Sequence, residues 1–260
     1  MSFIQVERDG GVLLITLNRP EVLNAFNTDM ARQMQEALAV ASADRTVRSL
    51  LLTGAGRAFC AGQDLASVPL DGAGPPDLAA IVRSQYNPMV KALVAMPKPV
   101  VCAVNGVAAG AGANLALACD IVIASARASF VQSFAKIGLV PDSGGTYLLP
   151  RLVGRARAAA LALLGEALTA QQAMEWGLVW NIYEPERLMP EALALAHRLA
   201  RAPTEGLALT KRALAASWAN DLDTQLELEA SLQGEAGRTR DFLEGVRAFK
   251  EKREADFIGE

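Results

Sequence analysis

The chain has 260 residues, 52% of them hydrophobic and 20% charged, with a formal net charge of -3. That length supports one large domain or a main domain with a smaller companion, and the apolar content supports a sizeable core. The near-neutral balance excludes a generic nucleic-acid binder, which carries a basic excess, while leaving room for a local basic site on one phosphorylated ligand.

The N-terminal stretch MSFIQVERDGGVLLITLNRP lacks the basic segment, long apolar run and small-residue cleavage site of a secretory signal. Its two β-rich runs, Ile4 to Glu7 and Val12 to Leu17, flank Asp9-Gly10-Gly11 and predict a hairpin. Asn27 is placed to cap a helix starting near Thr28, with Asp29 in the first turn and Met30, Met34, Leu38 and Ala41 at helical spacing. Val47 to Leu52 and Val100 to Val104 read as buried strands. Between them, Ser67 to Ala80 (SVPLDGAGPPDLAA) is rich in glycine and proline, which argues against regular structure. Such a segment serves equally as a lid or as a surface excursion.

After Asn105-Gly106, Leu115 to Ala118 reads as helix and Ile121 to Ala124 as strand, an α/β alternation. Polar and glycine breaks between Val100 and Ala126 exclude a membrane span there. Thr169 to Gln172 has the pattern of a capping box. Helical stretches follow over Met189 to Arg201, Leu207 to Trp218, Leu222 to Glu235 and Phe242 to Arg253, punctuated by Pro203 and Gly237. The expected organisation is a β/α core over residues 1–195 and a helical part over 196–260. His197 falls on a late helix as a surface or packing residue, and no His/Cys/Asp cluster has metal-ligand spacing. Cys60, Cys102 and Cys119 lack C-x-x-C spacing and cannot all pair within one chain, so they read as reduced thiols of a cytoplasmic protein.

Two glycine turns each follow a strand: GRAFCAGQDL (Gly56 to Leu65) and NGVAAGAGANLALACD (Asn105 to Asp120). Neither has the spacing of a dinucleotide or P-loop phosphate cradle. Small residues leave backbone N–H groups open, and two that converge would form an oxyanion hole. The same small residues also permit close packing of strand on helix, and each turn taken alone is open to either reading.

Taken together with LNRPEVLNAFN, GLVPDSGGTYLLPRLVG and EGVRAFKEKREADF, these motifs resemble the crotonase (enoyl-CoA hydratase/isomerase) family in order and spacing over nearly the whole chain. The resemblance implies an α/β fold with a β-β-α spiral core and a C-terminal helical trimerisation region. Partners are then an acyl-CoA substrate and further copies of the chain, as a homotrimer or a hexamer of paired trimers, with neither nucleic acid nor membrane. It implies oxyanion donors at the amides of Gln63 and Ala111. It places Val22, Leu23, Ala25, Ala61, Gln63, Asp64, Leu65 and Gly110 along the thioester and coenzyme. Phe249 and Lys252 would approach the coenzyme's adenine and phosphate end, Lys252 being equally readable as a solvated helix charge.

The hydratases of the family use two glutamates, and the matching positions here are Asn114 and Phe134. Asp142, in VPDSGG, stands where isomerases and dehalogenases of the family place a catalytic aspartate. From the residues alone it is also readable as the cap of a helix starting at Ser143 or Gly144. The stretch from Gln132 to Trp180 and the segment around QYNPMVKALVAMPKP are similar to one branch in particular. That branch converts ring-1,2-epoxyphenylacetyl-CoA to its oxepin form in aerobic phenylacetate breakdown. The expected activity is therefore acyl-CoA isomerisation on Asp142. The expected cofactor is none, because coenzyme A is part of the substrate, and the expected metal is none.

Overall fold

β1 (Ile4–Asp9) and β2 (Val12–Leu17) pair antiparallel with Asp9 opposite Val12. Gly10 and Gly11 thus form the two-residue connection, and Gly10 adopts the left-handed φ of +56° that such a turn requires. The structure, a computed structural model, describes residues 2–67 and 76–260. α1 (Thr28–Ala43) begins where Asn27 accepts a hydrogen bond from the Met30 amide at 2.9 Å, and it buries Met30, Met34, Leu38 and Ala41 as expected. Its far end is closed by the buried Lys98, whose ammonium donates to the carbonyls of Ala41 and Asp44 at 2.6 and 2.9 Å. A cation there faces the negative end of the helix.

From this point the backbone winds as a spiral of paired strands. β3 (Ser49–Gly54) bends into β4 (Ala58–Cys60), β5 (Val100–Val104) into β6 (Val107–Ala109), and β7 (Ile121–Ser125) into β8 (Ser129–Val131). The first member of each pair joins a six-stranded sheet that runs β1-β2-β3-β5-β7-β10, closed by β10 (Asn181–Tyr183) and parallel apart from the hairpin. The second member joins a four-stranded sheet, β4-β6-β8-β9, in which β9 (Ala167–Thr169) is the antiparallel strand. Asn105 stitches two successive corners by donating to the Gly56 carbonyl at 3.0 Å. The expected β-β-α spiral is the architecture found.

β3 and β5 are buried along their whole length, as parallel strands covered on both faces must be. The side-chain period of two divides them. Leu51, Val101 and Ala103 meet Leu188, Ala192 and Ala196 of the long helix over Pro185–Ala200, whereas Leu50, Leu52, Cys102 and Val104 face the main core with α1. Truncating one such leucine to alanine costs about 2–5 kcal/mol.

The four-residue helix α2 (Leu78–Ile81) corrects the expectation of irregular structure for Ser67 to Ala80. Leu78 to Ala80 are helical, and Asp77 caps them by accepting from the Ala80 amide at 2.9 Å. Residues 68–75 of that stretch lie outside the described residues. A π turn over Val82–Tyr86 leads straight into α3 (Asn87–Val94). Pro88 explains the wider turn, because its missing N–H cannot serve the Ser84 carbonyl. The Gln35 side chain serves it instead, donating to the carbonyls of Ser84 and Gln85 at 2.9 Å each.

α4 (Ala111–Leu117) is entirely buried. α5 (Gly145–Val153), α6 (Arg155–Leu164) and α7 (Ala170–Glu175) follow, the last opened by the predicted Thr169–Gln172 capping box. α8 (Pro185–Ala200) starts earlier than Met189 because Pro185 and Glu186 fit the first turn. It packs on the six-stranded sheet, so the boundary expected at residue 195 falls inside a core helix. α9 (Thr204–Ala216), α10 (Leu222–Ala236) and α11 (Arg240–Glu251) make up the helical end of the chain. His197 sits on α8 with its Nε2 2.8 Å from Asp9 of the hairpin. Among the described residues no helix is long and apolar enough to cross a membrane.

Candidate active site

The two glycine turns meet. Gly62 lies so close to β6 and α4 that a Cβ built on it would stand 2.9 Å from the Ala109 carbonyl oxygen and 3.4 Å from the Ala111 nitrogen. Its φ of +89° and that of Gly110, +53°, belong to backbone that side chains avoid. Gln63 follows the one glycine and Ala111 the other. The strand-like bridge that ties Phe26 to Gln63 uses the Gly62 carbonyl and the Asp64 amide, and the Gln63 amide has no backbone acceptor among the described residues. The Ala111 amide is the first of α4 and has no acceptor within the helix.

Six of the predicted site residues border one cavity of about 270 Å³: Ala61, Gln63, Leu65, Gly110, Ala111 and Asp142. Phe134, at a position where hydratases of the resembling family carry an acid, also lines it, as do Leu78, Ile81, Val82, Ser133, Ile137 and Leu139. Among the described residues that line the cavity, Asp142 is the one carboxyl. Burial pushes its pKa above the ordinary aspartate value, opposed by a hydrogen bond from Ser143.

Asp142 does not cap α5. The residue at the helix N-cap is Gly144, in left-handed conformation and without a side-chain hydrogen bond. The backbone of Asp142 is itself the acceptor there: its carbonyl takes the Gly145 amide at 2.8 Å and the Asn114 Nδ2 at 2.8 Å. Asn114, 0% exposed, also accepts from Gln132 Nε2 at 2.8 Å. A Cβ on Gly145 would fall 2.3 Å from Asn114 Nδ2. Asn114 therefore braces the loop that carries Asp142 and is absent from the cavity wall.

The remaining predicted residues stand elsewhere. Val22, Leu23 and Ala25 lie on a strip beside the Cys60–Asp64 turn, held to it where the Ala61 amide donates to the Leu23 carbonyl at 2.9 Å. Asp64 is not at the cavity wall; Arg19 donates to its Oδ2 at 3.0 Å in a largely buried ion pair. Phe249 and Lys252 are not among the residues that line the cavity within one chain. Phe249 is 85% exposed on α11 and borders a separate hollow with Phe242 and Phe257, and Lys252 is the left-handed cap of the same helix. Cys60, inside the first motif, is buried with its thiol pKa pushed up to about 12 by desolvation, which makes it an inert packing residue.

The family model for enoyl-CoA hydratase/isomerase matches residues 7–260. The chain belongs to that family. Among its relatives in the enoyl-CoA hydratase/isomerase family, the 1,2-epoxyphenylacetyl-CoA isomerase of Escherichia coli is 55% identical over 260 residues, covering 100% of this chain and 99% of the relative. The trans-2-decenoyl-[acyl-carrier-protein] isomerase of Streptococcus mutans is 40% identical over 257 residues, 96% of each chain. The crystal structure of the enoyl-CoA hydratase from Bacillus anthracis superposes with a TM-score of 0.92 at 34% identity, over 100% of both chains.

Sequence reasoning missed two residues of this family member's site. Tyr86 lines the cavity, is buried, packs edge-on to Phe26 with ring centroids 6.2 Å apart, and donates its hydroxyl to Gln63 Oε1 at 2.6 Å. Burial raises its pKa, with Cys60, Asp142 and Asp64 adding to the effect. The signal was present: Val82, Tyr86, Met89 and Leu93 fall at helical spacing. Ser143 was read only as a possible helix start, and nothing in the residue types marks it otherwise.

Proposed function

We propose that the protein is an acyl-CoA isomerase that acts on 2-(1,2-epoxy-1,2-dihydrophenyl)acetyl-CoA and yields its oxepin form. The observation that carries the reading is a desolvated carboxyl on Asp142, the one carboxyl among the described lining residues, in the same cavity as Gln63 and Ala111, whose amides have no backbone acceptor among the described residues. Full-length similarity to an isomerase of that substrate supports it. In this scheme the Asp142 carboxylate takes the proton from the carbon next to the thioester. The enolate oxygen accepts from the two amides, each donor being worth about 3 kcal/mol in comparable sites. Asp142 then returns the same proton to a ring carbon as the epoxide ring expands, so the reaction balances with no external acid, base or oxidant. Coenzyme A arrives as part of the substrate.

Leu65, Leu78, Ile81, Val82, Tyr86 and Phe134 give the cavity an apolar, partly aromatic wall suited to a ring-bearing acyl group. The same shuttle would move a double bond from the 3- to the 2-position of an aliphatic thioester. Hydration calls for a pair of ionisable groups to activate water and handle the proton, and Asn114 and Phe134 cannot supply it. Buried free thiols at Cys60, Cys102 and Cys119 fit a cytoplasmic setting. The deciding assay presents the purified protein with the ring epoxide thioester, a 3-enoyl-CoA and crotonyl-CoA side by side. Isomerisation of the first two with little 3-hydroxyacyl product is expected. Hydration as fast as isomerisation would overturn the reading.

A further inference from the structure

We propose that Ser143 is the positioning residue of this site, its left-handed backbone held in place so that its hydroxyl fixes one oxygen of the Asp142 carboxylate. The inference rests on the reading of Asp142 as the base. Ser143 has φ +51°, where the Cβ of any residue but glycine crowds the neighbouring carbonyl. It is followed by Gly144 at +80°, so the chain uses glycine at the second of two consecutive left-handed positions and retains a side chain at the first. That side chain is 1% exposed, and its Oγ donates to Asp142 Oδ1 at 2.9 Å.

The rest of the mount explains why one more donor matters. The Asp142 carbonyl is pinned by Gly145 and by Asn114, and Asn114 by Gln132. These bonds hold the Asp142 carbonyl and leave its carboxylate to other donors. No lysine or arginine forms an ion pair with Asp142 among the described residues. The groups facing it from the surrounding elements are Tyr86 on the π turn, with Cys60 and Asp64 acting on Tyr86 from the first glycine turn. The segment Ser133–Ile137 presents Ser133 and Phe134 to the cavity, and α4 presents the neutral Asn114. None of these supplies a positive charge. Burial favours the protonated acid, and the Ser143 hydroxyl is the side-chain donor that opposes it.

The test is the pH profile of kcat for the full-length enzyme and four variants: Ser143→Ala, Ser143→Gly, Ser143→Asn and Asp142→Asn. Ser143→Ala and Ser143→Gly should lower kcat about ten-fold or more, since a hydrogen bond to a charged group is lost. Their acid limb should move up by about one pH unit, with KM little changed. Ser143→Gly accepts the positive φ without crowding, so its activity loss in a folded protein of parental size separates the hydroxyl's role from strain. Asparagine tolerates the left-handed region and brings a side-chain N–H donor, so Ser143→Asn should return the limb toward the parent's. A parent-like limb and kcat in Ser143→Gly, with Asp142→Asn inactive, would overturn the positioning role and leave the base assignment standing. Turnover retained in Asp142→Asn overturns the base assignment, and this proposal with it.

Discussion

Asp142 couples stability and activity with opposite signs. Its folded-state pKa is raised by burial, so the native carboxyl holds its proton more tightly than the unfolded chain does. Ionising it costs stability, and the loss sets in as pH rises from about 3.9, the unfolded value, through the raised folded one. The base works only when ionised, so kcat/KM should rise with pH through that same raised value, with an acid limb above the ordinary carboxylate range. Asp142→Asn removes the buried charge and retains an acceptor for Ser143. At pH 7 its melting temperature should equal or exceed the parent's, while turnover falls about 100- to 10,000-fold; a clearly lower melting temperature would contradict the desolvation argument. The oxyanion donors give a second contrast. Gln63→Ala retains the amide but orphans the Tyr86 hydroxyl, so it should cost stability, about 1–3 kcal/mol in urea unfolding, and leave most of the turnover. Ala111→Pro deletes the amide itself, and a variant that is folded by circular dichroism should lose about 100- to 1,000-fold in turnover.

Elements place these residues through contacts between neighbours in space. Gly145, the first residue of α5, meets Asn114 of α4 at a distance that leaves no room for a methyl group. Gly145→Ala should push the two helices apart, break the Asn114 bond to the Asp142 carbonyl, and cost about 1–3 kcal/mol. Urea unfolding would read the stability, and kcat would fall without a matching rise in KM; an unchanged kcat would show that the brace is dispensable. What was legible beforehand follows from the range of the interaction. The hairpin, the Asn27 cap, the Thr169 capping box and the buried strand at Val100–Val104 rest on rules spanning a few residues, and each stands where the sequence put it, whereas the strand expected over Val47 to Leu52 runs Ser49–Gly54, set by its pairing with β2 and β5. The family motifs brought Gln63, Ala111 and Asp142 to notice, and the fold sets them on one cavity. The helix at Leu78–Ile81 was hidden by the glycine and proline before it. Asp64's pairing with Arg19 and Asn114's hold on Asp142 join residues remote in the chain. The strain at Ser143 has no signature in residue type.

At the scale of the molecule, one chain leaves several large apolar side chains in water. Val140, two residues before Asp142, is 78% exposed, Trp180 75% and Phe249 85%. Phe242, Val246 and Phe249, all exposed, border one hollow with Phe257, and an apolar patch of this kind on a folded chain marks an association surface. Phe249 and Lys252 stand off the cavity of their own chain, as they would if they served a neighbour's coenzyme end. Both facts lead us to propose that the working unit is a homo-oligomer, and the family resemblance implies a trimer or a pair of trimers. Sedimentation at micromolar concentration should show that species and little monomer. Phe249→Ala should then raise KM for the thioester while kcat at saturation stays near the parent's, because the residue does not border the cavity that holds Asp142. Mixing Phe249→Ala chains with Asp142→Asn chains decides whose site Phe249 serves. If it serves its own chain, the intact Phe249 always accompanies a dead base, and every active site in the mixture shows the raised KM. If it serves a neighbour's, mixed oligomers contain sites with an intact base and an intact Phe249 from the adjacent chain, and a component with parental KM reappears. A fully active monomer at micromolar concentration would refute the assembly outright.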